Sequence, residues 1–295
     1  MNGVLVIDKP TGVSSAQALE RVRRTLKIRR AGHGGTLDPI ATGVLPILLG
    51  EATKLAEYLL ADDKEYEVEA RLGIETDTLD RAGQIVATHE VHVTREQLVA
   101  ALAARSGEQD QVPPMYSAIK HAGVELYKRA RRGEHVERAP RRVRIDRLEL
   151  LAFEGARVTL AIGCSKGTYV RSLVADLGRD LGCGAHVSEL RRTRSGRFDL
   201  AIAQPIDALD PSRLVGMTDA LPLPVVRVAD ELVPKLRSGV QLPVDEVSTV
   251  LGSGERFQMV TRGGELVAIA HADAGRIVYD RVFKAWLAAD DVPSP

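Results

Sequence analysis

The chain reads as an α+β protein: a mixed, mainly antiparallel sheet with packed helices, followed by a small β-rich unit. Three observations predict this. Strand-like segments dominate, and the helical segments are interspersed among them. Residues 65–72 alternate, with Tyr66, Val68, Ala70 and Leu72 on one face and Glu65, Glu67, Glu69 and Arg71 on the other, as a half-buried antiparallel strand requires. Around 207–225 the chain turns proline-rich (Pro211, Pro222, Pro224), and short apolar runs between Gly-rich turns follow.

Taken in order, residues 3–7 read as a buried strand stopped by the turn residues Lys9-Pro10-Thr11-Gly12. Leu19, Val22 and Leu26 recur at helical spacing, so 16–27 is a helix that Ser14 or Ser15 can cap. A glycine-rich loop spans Gly32 to Gly43. A short apolar segment at 44–49 and a helix at 51–60 follow. After the alternating strand come a strand at 84–93 and a helix at 95–104 capped by Thr94. Residues 107–141 combine Pro113-Pro114, glycines and dense Arg and Lys, and read as irregular. Strands at 142–152 and 156–163 precede a helix at 168–181, where Val170, Leu173, Val174, Leu177 and Leu181 share a face and Thr168 is the expected cap. A core strand runs near 185–191. Residues 207–225 read as a linker. The last unit holds strands at 257–261, 265–270 and 276–283, with turns at Gly252-Ser253-Gly254 and Gly263-Gly264.

Composition excludes several classes. The 295 residues can bury a substantial core as one large domain or two smaller ones. Forty basic residues balance forty acidic ones, which argues against a wholly electrostatic nucleic-acid binder but leaves room for a local basic face. The two cysteines, Cys164 and Cys183, have no second Cys or His at metal spacing, and read as reduced thiols of a cytoplasmic protein. The apolar run Val4–Ile7 ends at Asp8-Lys9-Pro10 and lacks a signal peptide's basic leader and cleavage site. No stretch approaches the roughly 20 apolar residues that span a bilayer.

The stretch from Ala31 to Pro46, AGHGGTLDPIATGVLP, admits three readings on its own. It is a surface loop with glycines at positive φ and a turn at Asp38-Pro39. Or it cradles phosphate, although the Rossmann and P-loop spacings are absent. Or it holds a catalytic carboxylate.

This stretch also resembles the motif of the TruB family of pseudouridine synthases, and further segments resemble that family in the same order. They are Leu5-Val6-Ile7-Asp8-Lys9-Pro10-Thr11-Gly12 with Ser14-Ser15, Lys64-Glu65-Tyr66, and Leu72-Gly73 with Thr76-Asp77-Thr78. Pro113–Lys120, Cys164–Leu173 and Leu190–Gly196 complete the set. The likeness covers roughly residues 3–200. The one departure in the central motif is Gly34, where many relatives carry Thr, Ser or Ala.

The resemblance implies an isomerase that converts uridine 55 in the T-loop of tRNA to pseudouridine after flipping the base out. The glycosidic bond breaks, the uracil rotates and a carbon–carbon bond forms. Nothing is oxidised or hydrolysed overall, so neither a metal nor an organic cofactor is expected. By resemblance Asp38 is the catalytic carboxylate, Arg171 its guanidinium partner and Tyr66 the aromatic residue that stacks on the uracil. His33 matches a residue that steadies extruded nucleotides, Lys9 and Tyr169 match positions packed near the site, and Leu190 lines the pocket. The likeness also implies a catalytic domain over 1–210, an insertion at about 110–140 that clasps the T-arm, and a PUA-like RNA-binding domain over 226–288. A monomer without an obligate protein partner is expected.

Three basic runs, Arg21–Arg30, Lys128–Arg147 and Arg191–Arg197, stand in a neutral protein. They predict that the acids are segregated elsewhere, leaving a phosphate-tracking surface. Two rival readings remain. The dyskerin-like guide-RNA-dependent synthases share the Gly-His-x-Gly-Thr-Leu-Asp-Pro loop, but the insertion looks like the stand-alone type. A non-catalytic RNA-binding or RNA-folding protein would not need Asp38, Tyr66 and Arg171 together.

Overall fold

The computed structural model describes residues 1–284 apart from Ala118, Ala122, Arg131, His135 and residues 248–253. Parts of four expectations lie outside the described residues: Ala118 of the insertion motif, Arg131 of the second basic run, Gly252-Ser253 of a predicted turn, and residues 285–288 of the C-terminal unit.

Strand β1 (Gly3–Lys9) leads into helix α1 (Ser15–Leu26), which starts in a capping box. The Ser14 hydroxyl accepts from the Gln17 amide at 3.2 Å, while the Gln17 side chain accepts from the Ser14 amide at 2.9 Å. Then come β2 (Ala31–His33), β3 (Thr42–Leu49), a 3-10 turn at Gly50–Leu55, α2 (Ala56–Ala61) and β4 (Lys64–Leu72). A separate ribbon of β5 (Ile74–Thr76) and β6 (Ile85–Thr88) precedes α3 (Arg95–Ala104), which Thr94 caps as expected, and β7 (Gly107–Gln111). A small hairpin of β8 (Lys120–His121) and β9 (Val124–Glu125) and the single turn α4 (Leu126–Ala130) follow. The chain then returns through β10 (Arg141–Glu154), β11 (Arg157–Cys164), α5 (Val170–Asp180), β12 (Ala185–Ser195), β13 (Phe198–Asp199) and β14 (Gln204–Pro205).

The main sheet runs β14-β1-β3-β12-β4-β11-β10-β7, with β2 beside β3 and β13 beside β12. Pairs β1–β14 and β3–β12 are parallel; the other neighbours are antiparallel. Both faces are covered. Leu5 and Ile7 join Val68, Ala18, Val22, Leu173 and Leu177 beneath α1 and α5. Val4, Val6, Val44 and Leu48 join Phe198, Leu221, Val260, Ile269 and Phe283 on the other side. Burial on both faces is why β1 is a continuous apolar run rather than an alternating one.

That second face is closed by a smaller sheet. Its strands are β15 (Val225–Arg227), β16 (Arg256–Val260), β17 (Leu266–Asp273) and β18 (Arg276–Val282), in that order, with α6 (Val233–Arg237) preceding β16. The small sheet keeps its own cluster of Val228, Leu236, Phe257, Met259, Val267 and Ile277.

Several expectations need correction. Residues 207–225 are not a free tether: Val215 exchanges backbone hydrogen bonds with Val4, and Ala220 and Leu221 are buried. Prolines stop regular pairing there, but the apolar residues between them fill the seam between the sheets. The stretch 107–141 is less irregular than its composition suggests, because its first residues, Gly107–Gln111, pair along β10 as the edge strand. The strand predicted over 84–93 is four residues long, with Ile85 and Val86 exposed. The helix expected over 51–60 begins as a 3-10 turn. Helix α5 starts after Tyr169, which stands at the cap position and has no capping side chain; Thr168 lies one place before it, its hydroxyl donating to Ser165 O. Strand β12 runs on to Ser195, where it gains β13 as a partner.

Candidate active site

The carboxylate loop is pinned from outside. Ser15, in the first turn of α1, accepts a hydrogen bond from Leu37 N at 2.8 Å and donates one to Leu37 O at 3.0 Å. Gly12 N donates to Pro39 O at 2.8 Å, and the Thr11 hydroxyl donates to Ile40 O at 3.2 Å. Inside the loop Ala41 N donates to Asp38 O at 3.0 Å, the tight turn that Asp-Pro initiates. With Leu37 buried beneath it, Asp38 lines a cavity of about 290 Å³.

Arg171 grips Asp38 in a fork: Nε donates to Oδ2 at 2.8 Å and Nη2 to Oδ1 at 3.0 Å. The guanidinium is 3% exposed and the carboxylate 30%, so the cation sits behind and the anion faces the cavity. Its remaining donors go to Thr78 O and Tyr116 O, both at 2.8 Å. Arg171 occupies the first turn of α5, where the helix dipole disfavours a cation. Two carboxylates answer that charge, because Asp80 Oδ2 lies 3.6 Å from Nη1. Asp80 is buried and is itself held by the Thr78 hydroxyl at 2.7 Å and Ala82 N at 3.0 Å. Between Thr78 and Asp80, Leu79 takes the left-handed φ of 62°, a costly conformation for a non-glycine residue that the surrounding hydrogen bonds hold in place.

The start of α5 is fixed from the sheet edge. Gln111 on β7 is almost wholly buried; its side chain accepts from Tyr169 N at 2.7 Å and donates to Tyr169 O at 3.1 Å. The Ser172 hydroxyl donates to Val112 O at 3.0 Å. The segment entering the insertion therefore touches the residues that carry Arg171.

Five of the sequence-predicted residues line one cavity: Asp38, Tyr66, Tyr169, Arg171 and Leu190. Tyr66 on β4 is half-buried, and burial raises its phenol pKa while the Arg192 guanidinium pulls the other way. Tyr169 lies under the Arg141 guanidinium, 4.4 Å from ring centroid to Cζ. The other two residues are placed differently. Lys9 is wholly buried and its ammonium donates to Pro10 O at 2.9 Å and Val13 O at 2.6 Å, so it braces the turn beside the loop rather than meeting solvent. Burial lowers its pKa to about 8, with the Asp38 charge resisting. His33 ends β2, its Nδ1 is buried without a hydrogen-bond partner, and burial and the Arg192 charge lower its pKa.

Sequence reasoning passed over Asp80, Lys64 and Arg192. Lys64 and Arg192 line the cavity, and Asp80 stands behind it. Burial lowers the Lys64 pKa to about 8, and the Arg192 charge adds to that. The signal for Asp80 was its place in Thr76-Asp77-Thr78-Leu79-Asp80; nothing local separates a buried arginine from a solvated one in Leu190-Arg191-Arg192. Among the described residues, no group of three or more His, Cys, Asp or Glu side chains is arranged to hold a metal ion.

The expected segregation of acids fails. Arg142 pairs with Glu108, Arg144 with Asp63 and Asp146, Arg147 with Glu149, Arg191 with Asp8, and Arg194 with Glu65. Cross-strand and near-neighbour carboxylates answer these members of the second and third basic runs where they stand, whereas Arg138, Arg141, Arg192 and Arg197 donate to main-chain carbonyls.

Comparison with known proteins places this geometry. The family model described as TruB family pseudouridylate synthase (N terminal domain) matches residues 23–170. The model for the tRNA pseudouridylate synthase B C-terminal domain matches residues 171–213. The chain is 53% identical to tRNA pseudouridine synthase B of Stutzerimonas stutzeri over 221 residues, which cover 75% of this chain and 72% of that protein. It is 56% identical to the protein of the same name from Aromatoleum aromaticum over 210 residues, 71% and 68% of the two chains. Among solved structures, a chain of a Cbf5-Nop10-Gar1 complex superposes with a TM-score of 0.74 at 28% identity, covering 96% of this chain and 85% of that one. A chain of an H/ACA RNP bound to a substrate RNA containing 2'-deoxyuridine gives 0.73 at 26% identity, covering 99% and 87%. The chain belongs to the TruB family of pseudouridine synthases.

Proposed function

We propose that the protein isomerises uridine 55 in the T-loop of tRNA to pseudouridine through the Asp38 carboxylate, with Arg171 and Tyr66 in catalytic roles. The observation that carries this reading is the forked Arg171–Asp38 pair at the wall of a water-accessible cavity. A guanidinium behind a carboxylate keeps it anionic and aimed without covering the face that reacts. Pseudouridine formation needs such a group to engage the nucleoside while the N1–C1′ bond breaks and C5 bonds to C1′; the C5 proton leaves to solvent and the freed N1 takes one up, so the product is an isomer. Tyr66 and Leu190 flank the space a flipped uracil would fill, with Tyr66 offering its ring for stacking. Tyr169 and Leu190 shape that space, Lys9 supports the Asp38 turn, and His33 steadies the nucleotides displaced beside it.

The substrate assignment follows from the names of the relatives, which are tRNA pseudouridine synthases. In this reading residues 1–210 form the catalytic domain, the insertion at about 110–140 clasps the T-arm, and residues 226–288 form a PUA-like module. The protein acts in the cytoplasm as a monomer without a guide RNA. Among the described residues, no helix is long and apolar enough to cross a membrane.

The test is tritium release from tRNA transcripts carrying 5-tritiated uridine, beside a transcript in which only uridine 55 is replaced. Release from the first alone, with no other macromolecule added, supports both the target and the stand-alone mode. The guide-dependent reading draws on the likeness to chains from Cbf5-containing complexes. It gains if a tightly bound transcript releases nothing.

A further inference from the structure

Among the described residues Arg192 is the largest side chain removed from solvent, at 1% exposure. No carboxylate among them pairs with it. Its donors go to main-chain carbonyls instead: Nε to Val44 O at 2.8 Å, Nη1 to Thr36 O at 3.4 Å and Nη2 to Gly35 O at 3.3 Å. Taking a guanidinium out of water costs several kcal/mol, and neutral carbonyls offset that less completely than a carboxylate does. An apolar side chain would fill this place more cheaply, so the charge calls for a reason.

Its position supplies one. Successive residues of β12 face opposite sides of the sheet, so Arg191 turns to Asp8 while Arg192 turns inward. Strand β12 lies between β3 and β4, and Arg192 is registered against Gly43 on one side and Tyr66 on the other. Gly43 has φ +100°, and a Cβ there would collide with the Arg192 backbone, so the downstream end of the Asp38 loop is pressed directly onto this residue. The guanidinium reaches back to the upstream end at Gly35 and Thr36. The Arg192 side chain thus ties both ends of the loop that carries Asp38 to β12, whose backbone at the same residue pairs with Tyr66 on β4.

We propose that Arg192 is a positioning residue of the reaction, setting the Tyr66 hydroxyl and the Asp38 loop relative to each other as one unit. The inference deepens the catalytic reading above and rests on its assignment of Tyr66 and Asp38. The electrostatics agree. Burial, the Asp38 charge and Cys164 all push the phenol toward its neutral form, whereas Arg192 favours negative charge on its oxygen. Arg171 is matched by Asp38 and Asp80, so the excess positive charge at this cavity comes from Arg192, the buried ammonium of Lys64 and Arg141 over Tyr169.

The experiment compares Arg192→Met and Arg192→Lys, each alone and combined with Tyr66→Phe, on the tRNA transcript. Single-turnover rate, KM and tRNA Kd are measured, with thermal unfolding as the check on folding. Displacing the reacting groups by an ångström costs on the order of 10²-fold in rate. Arg192→Met is therefore expected to lose about that much turnover with Kd within about threefold, and Arg192→Lys less, because charge survives while the fork does not. In the Tyr66→Phe background the further loss is expected to shrink to within about tenfold, since coupled residues are not additive. Losses that simply multiply, or a rise in Kd and KM with turnover intact, would overturn the proposal. If Arg192→Met does not fold, Arg192→Lys decides: unchanged turnover in a stable protein rejects the role. Asp38→Asn is run alongside. Activity surviving there overturns the catalytic reading, whereas multiplicative Arg192 and Tyr66 losses overturn only this inference.

Discussion

Two buried arginines flank the same cavity and are neutralised in opposite ways. Arg171, on the first turn of α5, meets two carboxylates and is part of a closed ion network with Asp38 and Asp80. Arg192, on β12, donates to main-chain carbonyls and, among the described residues, has no carboxylate partner. The first arrangement holds an anion ready at the cavity wall. The second leaves a cation behind the aromatic wall. Together they show that a neutral chain can keep a positively biased cavity, because the neutralising acids are paired off at the surface, strand by strand, and few reach the interior.

Breaking the carboxylate side should have the largest effect. Asp38→Asn is expected to abolish pseudouridine formation while tRNA affinity stays within about tenfold, because phosphate contacts dominate RNA binding; filter binding beside tritium release checks both. Next comes Arg171→Lys, expected to lower the single-turnover rate on the order of 10²-fold with little change in Kd, since an ammonium cannot reproduce the fork. Rates within twofold of the parent would remove Arg171 from the site. Asp80→Asn sharpens the contrast. It leaves the Asp38 fork in place but removes the second anion, so about a tenfold loss of turnover is expected, equivalent to roughly 1.4 kcal/mol.

The cationic side can be probed through stability. The Lys64 pKa falls to about 8 in the fold, mainly by burial, from 10.5 unfolded. Below pH 8 both states are protonated and the fold bears the full burden of the buried charge. Between pH 8 and 10.5 the native state gives up its proton first, and the burden lifts as pH rises. The stability advantage of Lys64→Met over the parent should therefore shrink, on the order of 1 kcal/mol, when urea unfolding is compared at pH 7.5 and pH 10. A constant difference would show that the ammonium is not strained. The smallest effect is expected at the surface. Arg144→Ala removes an exposed pair with Asp63 and Asp146, and its urea midpoint should stay close to the parent's.

Legibility in the sequence followed the range of the interaction. The period-2 pattern of β4, the Thr94 cap and the amphipathic face of α5 are local, and each stands where its residues predict, while the first cap, open between Ser14 and Ser15, falls to Ser14. The Thr168 cap failed because the helix begins one residue later, which puts Tyr169 at the cap position. The stretch 107–141 was misjudged because Gly107–Gln111 has no strand pattern of its own and is extended by pairing with β10. The linker was misjudged because prolines mark where pairing stops, not where burial stops. In the site, Lys64 and Arg192 stood inside quoted motifs yet were given no role, because their weight comes from what they meet in the fold. Asp80 matters through Arg171, and Arg192 through its register with Gly43 and Tyr66.

The amino-acid order alone therefore determined the fold class, the main strands and helices, and the family whose motifs this chain carries. Those depend on side-chain period, caps and turn residues a few positions apart. Tertiary structure decided which charges are buried, which are answered by carboxylates, and which acids cancel the basic runs. It also decided that the seam between the two sheets is packed rather than free. Charge pairing and burial act through distances of a few ångströms between residues up to 233 positions apart, as in the bond from Lys284 N to Glu51 Oε2, and only the assembled sheets bring such residues together.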